Sequence, residues 1–124
     1  MEKSKVINIL VVDDEEDICK MFTKWLSLEG HRVISTLTGK KAINLVKKEY
    51  FNVVFLDIVM PGIPAVKVYD KIKEISPKTK IVIMTGKLLD NSLLNELREK
   101  GSSGFLQKPF KIEDINDCLA SIED

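Results

Sequence analysis

Five short apolar runs, each followed by a stretch with helical spacing, constrain the fold of this chain more than any other feature. The runs Val6–Val12, Val53–Leu56 and Ile81–Met84 are rich in β-branched residues and almost unbroken. Such a run fits a strand buried on both faces, as in a parallel sheet, because a half-exposed strand would alternate. His31–Ser35 and Gly104–Gln107 are weaker candidates for two more strands. Between them, Ile18, Met21, Phe22, Trp25 and Leu26 fall on one helical stripe, with Gly30 as its stop. Ala42, Ile43, Leu45 and Val46 mark a second helix. Val66, Tyr69, Ile72 and Ile75 mark a third, ended by Ser76-Pro77. Leu93, Leu94 and Leu97 mark a fourth, closed by Gly101, and Ile112, Ile115, Cys118, Leu119 and Ile122 a fifth.

A fivefold strand–helix alternation implies an α/β chain with a parallel sheet, right-handed crossovers and helices on both faces. For five units the common strand order is 2-1-3-4-5, with a ligand crevice outside the carboxyl ends of strands 1 and 3. The 124 residues suffice for one core and are too few for two, so residues 1–124 are expected to form one domain. The chain stops just after the fifth helix, as expected of a stand-alone domain or one cut from a larger protein.

Composition narrows the function classes. Nineteen basic and nineteen acidic side chains cancel, so no overall field favours nucleic acid or an anionic membrane. Lys40-Lys41 and Lys47-Lys48 read as the solvated face of one helix. No apolar run approaches the ~18 residues of a membrane span, and nothing behind Met1–Lys5 reads as a secretory signal. Cys19 and Cys118 lack metal-ligand spacing and fit a reducing cytoplasm. Cys118 reads as a small core residue on the fifth helix, whereas Cys19 sits beside the stripe of the first.

The residues that follow the central strands carry the chemistry. Strand 1 is followed by Asp13 and Asp14, strand 3 ends in Asp57, strand 4 leads to Thr85-Gly86, and strand 5 to Lys108-Pro109. Each has an ordinary structural explanation. Asp14 could cap the first helix, Asp57 could open a turn before Met60-Pro61-Gly62, and Thr85 and Lys108 could be polar loop residues. Five such residues converging on one rim favour a site instead. Carboxylates about 4 Å apart repel by roughly 4 kcal/mol at an effective dielectric near 20, so the cluster calls for a cation. An oxygen-only donor set selects Mg²⁺ or Mn²⁺ over zinc. A carboxylate can attack phosphorus to give an aspartyl phosphate, with Lys108 and Thr85 available to pair with phosphoryl oxygens.

Asp13-Asp14, Asp57 with Ile58-Val59-Met60-Pro61-Gly62, Met84-Thr85-Gly86 and Lys108-Pro109-Phe110 resemble, in order and spacing, the receiver domains of bacterial two-component response regulators. The resemblance runs along essentially the whole chain and implies a flavodoxin-like (βα)5 three-layer sandwich. It implies that Asp57 accepts phosphate from a phosphohistidine on a sensor histidine kinase or a histidine phosphotransfer protein. Asp14 would ligate Mg²⁺ directly and Asp13 through water, with Asp57 and the main-chain carbonyl of Val59 completing the protein ligands. Lys108 would bind the phosphoryl group, ahead of a cis Lys108-Pro109 bond, and Thr85 would move onto it. Phe105 would turn into the vacated space, changing the surface of the fourth helix, fifth strand and fifth helix that controls an effector. The ordinary alternative for Phe105 is a permanently buried core ring. Val59 and Lys87 would flank the path of attacking water and tune dephosphorylation.

The domain is expected in the cytoplasm, itself binding neither nucleic acid nor membrane, and its oligomeric state is left open between a monomer and a dimer through the fourth and fifth helices that depends on phosphorylation. His31, the single histidine, is expected at the surface away from the acidic rim, so the phosphohistidine must belong to another molecule. Receivers usually continue past Met60-Pro61-Gly62 with a capping acid and a glycine. Here Ile63-Pro64-Ala65 stand instead, with Pro64 expected in the first turn of the third helix. Leu88 and Leu89 are expected under the loop before the fourth helix or, alternatively, against a partner. Two rival functions differ in kind. A haloacid-dehalogenase-type phosphatase would need a second acid where Val59 stands, and a phosphate-independent interaction module would usually lack one of the acids, the threonine or the lysine.

Overall fold

The computed structural model describes residues 6–86 and 91–122. Lys87, Leu88 and Leu89 lie outside the described residues, as do residues 1–5 and 123–124. The strands are β1 (Asn8–Val12), β2 (Arg32–Thr36), β3 (Val53–Asp57), β4 (Lys80–Thr85) and β5 (Gly104–Gln107). They alternate with helices α1 (Glu16–Leu28), α2 (Gly39–Lys48), α3 (Ala65–Ile75), α4 (Asn91–Glu99) and α5 (Ile112–Ile122). All pairings are parallel and the order is β2-β1-β3-β4-β5, the order expected from the alternation.

Position in the sheet accounts for the strength of each apolar run. β3 is buried at every residue, and β1 and β4 at every residue but the first. The edge strands β2 and β5 have one buried residue each, so their sequences need not be continuously apolar. Alternate side chains feed two cores. Leu10, Val12, Val54, Leu56, Ile81 and Ile83 meet α2, α3 and Leu97 of α4 on one face. Ile9, Val11, Val53, Phe55, Val82 and Met84 meet α1 and α5 on the other. The result is three layers.

Several local expectations shift. Val6 is 68% exposed and β1 begins two residues later. The Ile7 N–H donates to His31 Nδ1 (3.2 Å) instead of to a strand, so His31 is half-buried rather than a plain surface residue. Cys19, not Ile18, is buried with Phe22 and Leu26 on α1, and its thiol reaches the Asp13 carbonyl at 3.4 Å. Cys118 is half-buried against the same core. Pro64 precedes α3 instead of lying in its first turn, and its carbonyl accepts from the Lys67 and Val68 N–H groups. The positive φ in this loop belongs to Gly62 (+96°), so Ala65 begins the helix without strain.

α2 packs against α3 at Gly39, where an added Cβ would stand 2.6 Å from Val68 Cγ2. Val68 is fully buried and β-branched, so it has little freedom to move aside. Gly39→Ala should therefore lower stability by about 1–3 kcal/mol in urea unfolding, despite alanine's better helix propensity. An unchanged or higher urea midpoint would mean that the α2–α3 contact opens freely.

Candidate functional site

The carboxyl ends of β1, β3 and β5 deliver the charged groups, and backbone hydrogen bonds fix the loops that carry them. The Asp13 N–H donates to the Thr36 carbonyl (3.1 Å), extending the β1–β2 pairing by one residue. Asp13 Oδ1 then accepts from the Glu15 N–H (2.8 Å), a turn that leads directly into α1. Asp57 ends β3, and its Oδ1 accepts from the Val59 N–H (2.9 Å). The Ile58 N–H reaches the Met84 carbonyl and the Lys108 N–H the Thr85 carbonyl (2.7 Å), so adjacent loops hold one another. The Lys108-Pro109 peptide is cis. Phe110 packs edge-on against Phe22 of α1, with centroids 5.5 Å apart.

Lys108 joins the parts. Its Nζ lies 2.7 Å from Asp13 Oδ2, 3.0 Å from Asp57 Oδ2 and 2.8 Å from Glu15 Oε2. Asp13 is fully buried, Asp57 is 3% exposed and Glu15 is 60% exposed, so the ammonium bridges the interior to the solvent. Burial alone would lower the Lys108 pKa, but the close carboxylates of Asp13, Glu15 and Asp57 outweigh it and raise the pKa above the usual lysine value. Burial also raises the Asp13 carboxyl above its usual range; the Asp57 charge adds to this, while Lys108 and the Glu15 amide oppose it. One oxygen each from Asp13, Asp14 and Asp57 lies within 4.8 Å of the others. That oxygen-only set, with one buried carboxylate carrying a raised pKa, fits a hard divalent cation.

The structure thus brings Asp13, Asp14, Asp57 and Lys108 together. Thr85 lies on the same rim, but its hydroxyl donates to the Leu106 carbonyl of β5 (3.4 Å). Phe105 is half-buried, pairs in register with Ile83, and has the Arg98 guanidinium 4.9 Å from its ring centroid. It is therefore not a wholly enclosed core ring. Asp14 does not cap α1: Glu15 holds the N-cap position and makes no side-chain cap hydrogen bond. Glu15 is the residue that sequence reasoning missed. Its signal was the continuation of the acidic pair to a third acid, which an ordinary helix start explains equally well.

A family model for the response regulator receiver domain matches residues 9–120. Sporulation initiation phosphotransferase F of Bacillus subtilis is 30% identical over 113 residues, which span 90% of this chain and 89% of that protein. Several other curated relatives are longer, and the chain spans less than half of each. Among solved structures, the BeF3-activated DrrB receiver domain is 31% identical with a TM-score of 0.77, covering 94% of this chain and 99% of that one. Vibrio cholerae chemotaxis protein CheY4 has the same fold, with a TM-score of 0.87 at 24% identity, covering 96% and 100%. This chain belongs to the response regulator receiver domain family.

The raised Asp13 pKa carries a sign. An acid that holds its proton more tightly when folded destabilises the fold wherever it is ionised. Asp13→Asn keeps the shape and removes that charge, so in metal-free buffer at neutral pH it should raise the melting temperature by about 4 °C, for ~1 kcal/mol. A lower melting temperature would mean that the Asp13–Lys108 pair outweighs the burial and crowding of the acids.

Proposed function

We propose that this chain is a phosphorylation-controlled switch in which Asp57 accepts a phosphoryl group from a phosphohistidine on a sensor histidine kinase or a histidine phosphotransfer protein. The observation that carries the reading is the Asp57 carboxylate, 3.0 Å from the Lys108 ammonium at the end of a central strand, with two further carboxylates alongside. In the transfer, an Asp57 oxygen forms a bond to phosphorus while the bond from phosphorus to the imidazole nitrogen breaks. The ring keeps the electron pair and is left neutral if its other nitrogen carries the proton. Val59 N–H, bonded to Oδ1, orients the carboxylate so that Oδ2 is the oxygen toward Lys108. Lys108 supplies positive charge to the phosphoryl oxygens by position, which is how phosphoryl transfer is chiefly stabilised.

A Mg²⁺ ion, or Mn²⁺, would be held by Asp13, Asp14, Asp57 and the Val59 main-chain carbonyl, and would neutralise charge on the transferring group. Thr85 would exchange its bond to Leu106 for a phosphoryl oxygen. Phe105 lies two residues from Gln107, the partner of Thr85 in the β4–β5 register, so a shift at Thr85 bears on its packing. The output would be a changed α4–β5–α5 surface read by an effector, favouring one of two pre-existing states. On this reading residues 1–124 are a regulatory receiver in the cytoplasm, a phosphoacceptor rather than a turnover enzyme. Among the described residues no helix is long and apolar enough to cross a membrane. The domain itself would contact neither membrane nor nucleic acid, and would be a monomer that dimerises, if at all, on phosphorylation.

Incubation with acetyl phosphate and Mg²⁺ should add one phosphoryl mass that maps to Asp57 and disappears in Asp57→Asn. No addition, or addition elsewhere, would contradict the reading. Val59 is 61% exposed and has no side-chain atom able to orient a water. Val59→Asn should therefore shorten the half-life of the phosphorylated protein several-fold, and an equal decay would remove Val59 from the role of tuning dephosphorylation. Its suggested companion, Lys87, lies outside the described residues.

A further inference from the structure

We propose that Glu15 is a displaceable latch on Lys108, competing with the incoming phosphoryl group for the lysine ammonium. This inference rests on the phosphoacceptor reading of Asp57. An ammonium has three donors, and three carboxylates stand within 3.0 Å of Lys108 Nζ. Two of these contacts are hydrogen bonds, to Glu15 Oε2 and Asp57 Oδ2, whereas Asp13 Oδ2 makes an ion-pair contact without hydrogen-bond geometry. With three carboxylate oxygens crowding one ammonium, an incoming phosphoryl oxygen competes with the exposed Glu15 carboxylate for Lys108.

The three partners differ in their freedom to leave. Asp13 is fully enclosed and held by the Glu15 N–H, and Asp57 is the acceptor itself, held by the Val59 N–H. Glu15 is 60% exposed, so its carboxylate can return to water at little cost. Its backbone supports the same role. Glu15 occupies the N-cap position of α1, where a short side chain would normally bond to helix amides, yet its carboxylate makes no such bond and reaches Lys108 instead. The Asp13 turn fixes the Glu15 amide and so aims the longer side chain across the mouth of the site. Glu15 is thus a positioning residue: it holds Lys108 near Asp57 while the protein is unmodified and yields its place to phosphate.

Contact and charge can be separated. Glu15→Gln keeps the reach and removes the charge, whereas Glu15→Asp keeps the charge and shortens the reach by one methylene. The full chain is treated with acetyl phosphate and Mg²⁺, and the rate of phosphoryl addition to Asp57 is followed by intact mass. In that reaction the Asp57 O–P bond forms, the bond from phosphorus to the acetyl oxygen breaks, and acetate leaves with the electron pair. Both variants should react about three- to fivefold faster than the parent chain, the size expected of one partly exposed ion pair. An equal or slower rate for Glu15→Gln would overturn the latch. So would acceleration by Gln with a parental rate for Asp, which would reduce Glu15 to a diffuse repulsion of anions. Failure of the parent chain to be labelled at all would sink the phosphoacceptor reading instead, so the two failures are distinguishable.

Discussion

Four carboxylates and one ammonium meet at the rim of this sheet, and the imbalance shapes the rest of the site. Asp13, Asp14, Asp57 and Glu15 bring four negative charges, and Lys108 returns one positive charge. At an effective dielectric near 20, two carboxylates about 4 Å apart repel by roughly 4 kcal/mol, so Lys108 cannot neutralise the group alone. The excess negative charge favours a divalent cation, and the position of Lys108 between Asp13 and Asp57 favours an anion that can share it. A transferring phosphoryl group coordinated to a cation satisfies both demands. Burial, with a smaller contribution from the Asp57 charge, raises the Asp13 pKa, while the surrounding carboxylates overcome burial and raise that of Lys108.

The sheet order makes this meeting possible. Asp13 and Asp57 are 44 residues apart, yet β1 and β3 are hydrogen-bonded neighbours with Val12 paired to Leu56, so the next residues emerge side by side. Lys108 arrives after the edge strand β5, across β4, which is why it needs its long side chain to reach the acids. Its amide bond to the Thr85 carbonyl fixes where that reach begins. The cost of crowding the charges is thus carried by central strands buried on both faces.

How legible this was in the sequence depended on whether burial or geometry decided the matter. β1, β3 and β4 were readable because burial on both faces forces nearly unbroken apolar runs, and Asp13, Asp57 and Lys108 were readable because they end or follow strands. The start of β1 was misplaced because Val6 is as apolar as its neighbours, whereas the Ile7 N–H bonds to the His31 side chain instead of to a neighbouring strand. Cys19 was underrated because helix periodicity does not distinguish the centre of a stripe from its margin. Pro64 was misplaced by one residue, since proline suits the position before a helix as well as its first turn. Glu15 was missed because its partner is 93 residues away, and nothing in local spacing records a contact of that kind.

The central claim is that the acids form one cation-holding notch. The direct test is a Mg²⁺ titration of the ¹⁵N-labelled chain followed by NMR. The Glu15 and Val59 amides report on the notch because they donate to Asp13 and Asp57. The account predicts saturable one-site binding with the largest shifts at those two amides and their neighbours. Absence of saturable binding, or shifts centred away from the ends of β1 and β3, would contradict it.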